Sequence, residues 1–207
     1  MKKAAIIIGK NVNLNRFNLK NSFNIGVERG CLLAIKAKVK LDIAVGDFDS
    51  VSQNELKKIY SKVKRVIKLN PVKDETDTYC AYNLVDDCDK ISILGGIQGK
   101  RVEHFLATLN ILKSDPRVEM IDDYSRIYSL DAEREPEFEL DSSYKYTSIF
   151  ALEDAMVTLK NFKYPLNEYR LEASDSLGIS NEILPKKKGQ IDLLSGRLLV
   201  IQSKDDH

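Results

Sequence analysis

Four short apolar runs, each followed by a stretch of helical periodicity, restrict the first half of this chain more than any other feature. They are AAIII (residues 4–8), LDIAV (41–45), VKRVIKL (63–69) and KISIL (90–94). The segments 26–38, 52–62 and 75–88 between them read as helices, and EHFLATLNILKS (103–114) adds another that must stop before Pro116. Buried strands alternating with helices predict a parallel sheet covered on its faces. From about Val118 the texture changes to short β-rich segments separated by turns: 125–131, 137–141, 146–153, 156–162, 167–173, 190–194 and 197–204. The expectation is an N-terminal parallel-sheet α/β domain over 1–117 and a C-terminal all-β sandwich over 118–207.

Composition removes several classes of partner. Thirty-two basic residues nearly cancel thirty-one acidic ones, so a net charge of +1 gives no electrostatic ground for nucleic acid or an anionic membrane surface. No apolar run reaches the roughly 18 to 20 residues needed to span a bilayer. The Met-Lys-Lys start and residues 4–8 resemble a signal peptide, but the run ends after five residues at Gly9, without a small-residue cleavage site. Three cysteines without CxxC spacing, and two histidines in all, argue against both a disulfide framework and a zinc site. A small-molecule partner and a reducing cytoplasm are expected.

The chemistry concentrates at AVGDFDS (44–50), where Asp47 and Asp49 leave a buried strand. Open α/β sheets bind ligands at the carboxyl ends of their strands. Residues i and i+2 of an extended segment face one side, which aims both carboxylates at one point. Such a pair repels itself unless a cation lies between, and hard oxygen ligands suit Mg²⁺. The plainer alternative is a turn that caps a helix near Ser52. In KDETD (73–77), Lys73, Asp74 and Asp77 follow the run at 63–69 at the same sheet edge, with Asp77 in the first turn of a helix that Asp74 or Thr76 could cap. In LGGIQGKR (94–101), glycines permit close backbone approach to a phosphate, and Lys100 and Arg101 carry charge. It is not a Walker A loop, which would need Ser or Thr after the lysine. His104, just inside the next helix, is a packing or capping residue or a substrate contact.

These three elements, in this order and spacing, resemble the thiamine pyrophosphokinase family. Its members carry GDFDS, a lysine–aspartate segment ending in Thr-Asp, and a GGxxGR-x-Asp-His stretch, matched here by 46–50, 73–77 and 95–104. VTLKNFKYPL (157–166) and GISNE (178–182) resemble the family's thiamine-side β domain. The resemblance implies transfer of diphosphate from ATP to thiamine, Mg²⁺, and a homodimer with active sites at its interface. It makes Asp47, Asp49 and Asp77 the metal ligands, with Asp74 or Asp77 as proton acceptor. Ser50, Lys73, Thr76, Gln98, Lys100, Arg101 and His104 become candidate substrate contacts, and Ser180 and Asn181 part of the thiamine pocket. Three positions depart from the family pattern: Glu28 and Glu103 stand where Asp is common, and Thr108 where Asn is. Two rival readings remain open from sequence. One is a phosphohydrolase with Asp47 as nucleophile. The other is a binding protein without turnover, suggested by Glu28 and Glu103.

Overall fold

The computed structural model describes residues 1–9, 12–99 and 101–205. It is a mixed α/β protein dominated by β-structure with few helices. Two compact units divide it: Met1–Ile111 with Met120–Asp123, and Leu112–Glu119 with Tyr124–His207.

The first unit carries β1 (Lys3–Ile7), β2 (Phe23–Val27), α1 (Arg29–Lys36), β3 (Ile43–Gly46), α2 (Gln53–Lys62), β4 (Arg65–Lys68), α3 (Asp77–Tyr82) and β5 (Lys90–Leu94). Helix α4 (Val102–Ser114) and strand β6 (Val118–Ile121) follow and are divided between the units, α4 after Ile111 and β6 after Glu119. Strands β4, β3, β2, β1 and β5 lie side by side in that order, all parallel. Because β1 and its neighbours are covered on both faces, their middles are mostly apolar: Ala5, Ile6, Ile7, Ile91, Ile93 and Leu94 have no exposed surface. In register, Ile7 pairs with Gly26 and with Leu94, and Val27 pairs with Val45. The carboxyl ends of these strands therefore emerge along one edge.

The sequence reading lacks β2 and runs the first helix from residue 26. In the structure residues 23–27 are a strand, and helix begins at Arg29. FNIGV hides its identity because it is short and contains a buried Asn24 and a glycine, both poor strand signals. Gly26 is there because a Cβ would lie 2.8 Å from Leu41 and 2.9 Å from Cys31. Gly30 permits a closer approach still: a Cβ on it would meet the Ile7 carbonyl oxygen at 1.9 Å. Helix α2 starts where a capping box predicts, with Ser52 and Glu55 satisfying each other's backbone amides.

The second unit contains β7 (Ser125–Asp131), β8 (Glu137–Glu139), β9 (Tyr146–Lys160), β10 (Leu166–Leu171), β11 (Asn181–Glu182) and β12 (Gln190–Ser203). Its strands pair antiparallel in the order β10, β9, β12, β7, with β11 on β9 and β8 on β12. Two of them fuse pairs of segments that the sequence separates. In β9 the alternation of buried and exposed residues breaks at Glu153–Asp154, and in β12 at Leu194–Ser195. Register shifts there mark β-bulges; in β12 the buried positions pass from Ile191 and Leu193 to Leu198, Val200 and Gln202, a change of face, whereas in β9 they stay on odd numbers, 147, 149 and 151 before the irregularity and 155, 157 and 159 after it. Gly196 serves that bend: its φ is +79°, and a Cβ would stand 2.3 Å from the Asp154 carbonyl oxygen. No helix among the described residues is long and apolar enough to cross a membrane.

Candidate active site

The adjacent strands β2 and β3 each end in an acidic residue at the same sheet edge. After Val27 the chain passes through Glu28 at φ 50°, ψ −126°, whose backbone amide donates to Val45 O at 3.0 Å. After Gly46 it turns through Asp47, Phe48 at φ 60°, and Asp49. The Asp49 amide donates to Asp47 Oδ1 at 3.0 Å, closing a small turn. Phe48 is 4% exposed and packs with the apolar core of the unit, which anchors the turn between the two aspartates. Carboxylate oxygens of Glu28, Asp47 and Asp49 lie within 4.8 Å of one another.

Glu28 binds this loop with both oxygens. Oε1 accepts the Phe48 amide at 2.6 Å, and Oε2 accepts the Ser50 hydroxyl at 2.9 Å. The side chain crosses directly over Gly46, where a Cβ would sit 2.0 Å from Oε1. Next to it Arg29 donates to Ser50 O at 2.8 Å and pairs with Glu55 at 3.5 Å. Burial raises the Glu28 carboxyl above its ordinary pKa, and the charges of Asp77 and Asp47 add to the shift; the bonds from Phe48 and Ser50 oppose it. A half-buried carboxylate held among two others is a group of excess negative charge, and hard oxygen donors so grouped fit Mg²⁺.

Lys73 and Asp77 form the neighbouring element. Helix α3 packs on β2 and β3, and Thr76 caps it by accepting the Tyr79 amide at 3.1 Å. Lys73 Nζ is 2.6 Å from Asp77 Oδ1, a close ion pair. The ammonium is held above its usual pKa, first by Asp77 and also by the charge of Asp47. Asp74 is exposed on the loop before the helix and stands outside the three-carboxylate group.

The glycine segment after β5 has a different explanation from the one its sequence suggests. A Cβ on Gly95 would meet the Gly9 backbone at 2.7 Å, and one on Gly96 would meet Ile8 at 2.6 Å. With φ of 90° and 81°, both glycines are required by the packing of one strand-end loop on another. Gln98 is exposed, and Lys100 lies outside the described residues. Arg101 pairs with Glu103 at 2.8 Å, and His104 stands exposed 4.0 Å from the same carboxylate. Thr108 is buried and spends its hydroxyl on the His104 carbonyl one turn earlier.

In the second unit Ser180 is exposed at φ 54°, its amide donating to Ser148 Oγ at 2.9 Å. Asn181 is 2% exposed, accepts the Tyr164 and Glu182 amides at 3.0 Å each, and donates to Tyr164 O at 2.8 Å. Its amide therefore fixes the loop that presents Ser180. Sequence reasoning left Glu28 out of the site. The available signal was an acidic residue directly after a strand, as at Asp47, but it requires β2 to be recognised first.

A parallel sheet with carboxylates gathered at its strand ends, followed in the chain by an antiparallel β unit, suits a protein that binds a phosphorylated ligand together with a metal ion. Comparison with known proteins narrows it. The family model described as thiamin pyrophosphokinase, catalytic domain, matches residues 14–121, and that described as thiamin pyrophosphokinase, vitamin B1 binding domain, matches 129–198. A thiamine pyrophosphokinase of Bacillus subtilis is 30% identical over 217 residues, covering 99% of this chain and 100% of the relative. A crystal structure of thiamine pyrophosphokinase from Bacillus subtilis superimposes with a TM-score of 0.87 at 28% identity, over 99% of this chain and 100% of that one. The fold is also that of thiamin pyrophosphokinase from Geobacillus thermodenitrificans, with a TM-score of 0.80 at 23% identity over 99% and 98% of the two chains. The chain belongs to the thiamine pyrophosphokinase family.

Proposed function

We propose that the acidic edge of the first unit is where this chain handles ATP, with Asp47, Asp49 and Asp77 holding Mg²⁺ and Glu28 beside them. The reaction is that of the family: diphosphate moves from ATP to thiamine, giving thiamine diphosphate and AMP. The observation that carries the site assignment is the grouping of Glu28, Asp47 and Asp49 within 4.8 Å, with the Lys73–Asp77 pair electrostatically coupled to it. When bound, the ion supplies neutralisation of phosphate charge.

The residues supply position and a proton path. The thiamine hydroxyl oxygen forms a bond to the β-phosphorus, the bond from that phosphorus to the bridging oxygen breaks, and AMP leaves. Asp74 or Asp77 accepts the hydroxyl proton, while Lys73 and Arg101 meet the phosphates and Ser50, Thr76, Gln98, Lys100 and His104 line the nucleotide side. Lys73 is already held close to a carboxylate, so it is oriented before substrate arrives. Ser180 and Asn181 contribute to the thiamine pocket, a reading supported by the range of the vitamin B1 binding model and by the rigid loop geometry around Asn181.

We read residues 1–117 as the ATP- and Mg²⁺-binding domain and 118–207 as a thiamine-binding β-sandwich, acting as a cytoplasmic homodimer with its active sites at the interface. The long bent strands β9 and β12, each able to serve two layers, support the sandwich. Supplied with ATP and Mg²⁺, the protein should form AMP only when thiamine is present, because water is poorly placed to replace the acceptor. Steady phosphate release from ATP without thiamine would instead make it a hydrolase.

A further inference from the structure

We propose that Glu28 is a positioning residue whose length, rather than its charge alone, sets the DFDS loop, so that aspartate cannot replace it in this chain. This deepens the assignment above and rests on it for its catalytic consequence. The geometry is specific. Glu28 reaches across the bare backbone of Gly46 and ties down the loop at two points, Phe48 N at 2.6 Å and Ser50 Oγ at 2.9 Å. These points bracket Asp49, and Asp47 precedes them directly, so the spacing between the two aspartates depends on where the tether holds. The loop needs holding, since Glu28 and Phe48 both occupy positive φ without being glycine, at 50° and 60°. Such conformations are strained for residues with a Cβ and persist where surrounding contacts enforce them. The apolar side of Phe48 is enforced by the core; its amide is enforced by Glu28.

Charge and reach can be separated by substitution. Glu28→Gln keeps the reach: its Oε1 can accept the Phe48 amide, and its Nε2 can donate to Ser50 Oγ once that hydroxyl turns around. Glu28→Asp keeps the charge and shortens the side chain by about 1.5 Å, which carries a carboxylate out of hydrogen-bond range of Phe48. The two variants and the wild-type full-length protein are compared first by amide hydrogen exchange at Phe48 without metal or substrate. Turnover is then measured across a Mg²⁺ titration, and thermal midpoints are recorded alongside.

With a reach-dependent tether, Glu28→Asp exchanges the Phe48 amide about tenfold faster or more, while Glu28→Gln stays within about threefold of wild type. Turnover separates the same way. Glu28→Gln needs more Mg²⁺ but recovers most of kcat at saturation, whereas Glu28→Asp remains about tenfold down in kcat at any Mg²⁺ concentration, because added metal cannot restore misplaced ligands. A general loss of fold would shift both thermal midpoints and unprotect amides throughout the unit, which the exchange map distinguishes. Wild-type protection of Phe48 in Glu28→Asp, loss of protection in Glu28→Gln, or recovery of kcat by Mg²⁺ in Glu28→Asp would each overturn the proposal. Absence of turnover in the wild type would count against the assigned reaction and leave the exchange comparison to decide the tether.

Discussion

The two units handle polar groups in opposite ways. In the first, Ala5, Ile6, Ile7, Ile91, Ile93 and Leu94 fill the middle of the sheet, and the grouped acidic residues begin where strands β2 and β3 stop, at Glu28, Asp47 and Asp49. In the second, polar side chains lie buried along the strands: Ser129, Thr147 and Gln202 are each at most 5% exposed. Tyr128 donates to Gln202 at 3.4 Å, Gln202 donates to the Asp141 carbonyl at 3.0 Å, and the Arg126 guanidinium sits between Glu119 and the Tyr128 ring. Burial pushes the Tyr128 phenol well above its ordinary range, so it stays a neutral donor. The difference follows from sheet type. A parallel sheet covered on both faces leaves only its edge for ionised groups, whereas antiparallel strands can give one face to hydrogen-bonded polar side chains. Chemistry in the first unit is thus expected to be separable from stability, and polar groups in the second are expected to be part of it.

The sharpest way to break that contrast is Asp49→Asn. It removes charge while keeping shape, and turnover should fall on the order of a hundredfold or more, about 3 kcal/mol of transition-state stabilisation, with the thermal midpoint unchanged. Normal turnover at limiting Mg²⁺ would reduce the aspartate pair to a turn. In the second unit the reverse should hold. Arg126→Ala removes the guanidinium now 2.9 Å from the Glu119 carboxylate, whose side chain is 7% exposed. Urea denaturation should register a loss of about 3 kcal/mol, as for other broken buried pairs, and a loss below half that would mean the pair is as dispensable as a surface one.

A smaller effect tests whether two chains share each site. Asp49→Asn and Ser180→Ala, each inactive alone, should complement when refolded together, since one site of a mixed dimer would collect both lesions and the other neither. Random pairing then returns roughly a quarter of wild-type activity. Verified mixed dimers without recovery would confine each site to one chain; if Ser180→Ala alone remains active, a bulkier residue at that position serves. The smallest effect belongs to Ser52→Ala, which removes the capping box of α2 and should lower stability by about 1 kcal/mol with kcat retained. A kcat change there would mean that the helix start, through Glu55 and Arg29, helps hold the loop at Ser50.

Much of the first unit was legible because its signals are local. Short apolar runs announced β1, β3, β4 and β5, the helical period of 52–62 announced α2, and the strand-end rule drew attention to Asp47 and Asp49. Strand β2 escaped because two of its five residues, Asn24 and Gly26, are poor strand signals chosen by tertiary neighbours: Asn24 donates to the carbonyls of Leu19 and Lys40, and Gly26 yields to Leu41 and Cys31. The glycines at 95 and 96 were visible, but their reason was not, since Gly9 and Ile8, which require them, come from another strand. In the second unit, bulges concealed the continuity of β9 and β12, because residues inserted into a strand interrupt the alternation by which a strand is read.

By itself, then, the sequence determined the elements whose causes lie within a few residues of one another: apolar strands, caps, the order of acidic motifs and, through that order, the family. Tertiary structure decided what each polar group does. Glu28 is a variant residue in the sequence and a two-point tether in the fold, because parallel pairing of β2 and β3 brings positions twenty residues apart within hydrogen-bond reach. Arg101 and Asn181 are candidate contacts in the sequence, and the fold adds a partner to each, Glu103 for the first and the Tyr164 backbone for the second. Propensity and capping act over one or two turns of chain, but hydrogen-bond partners and steric limits are set by whatever folding brings alongside.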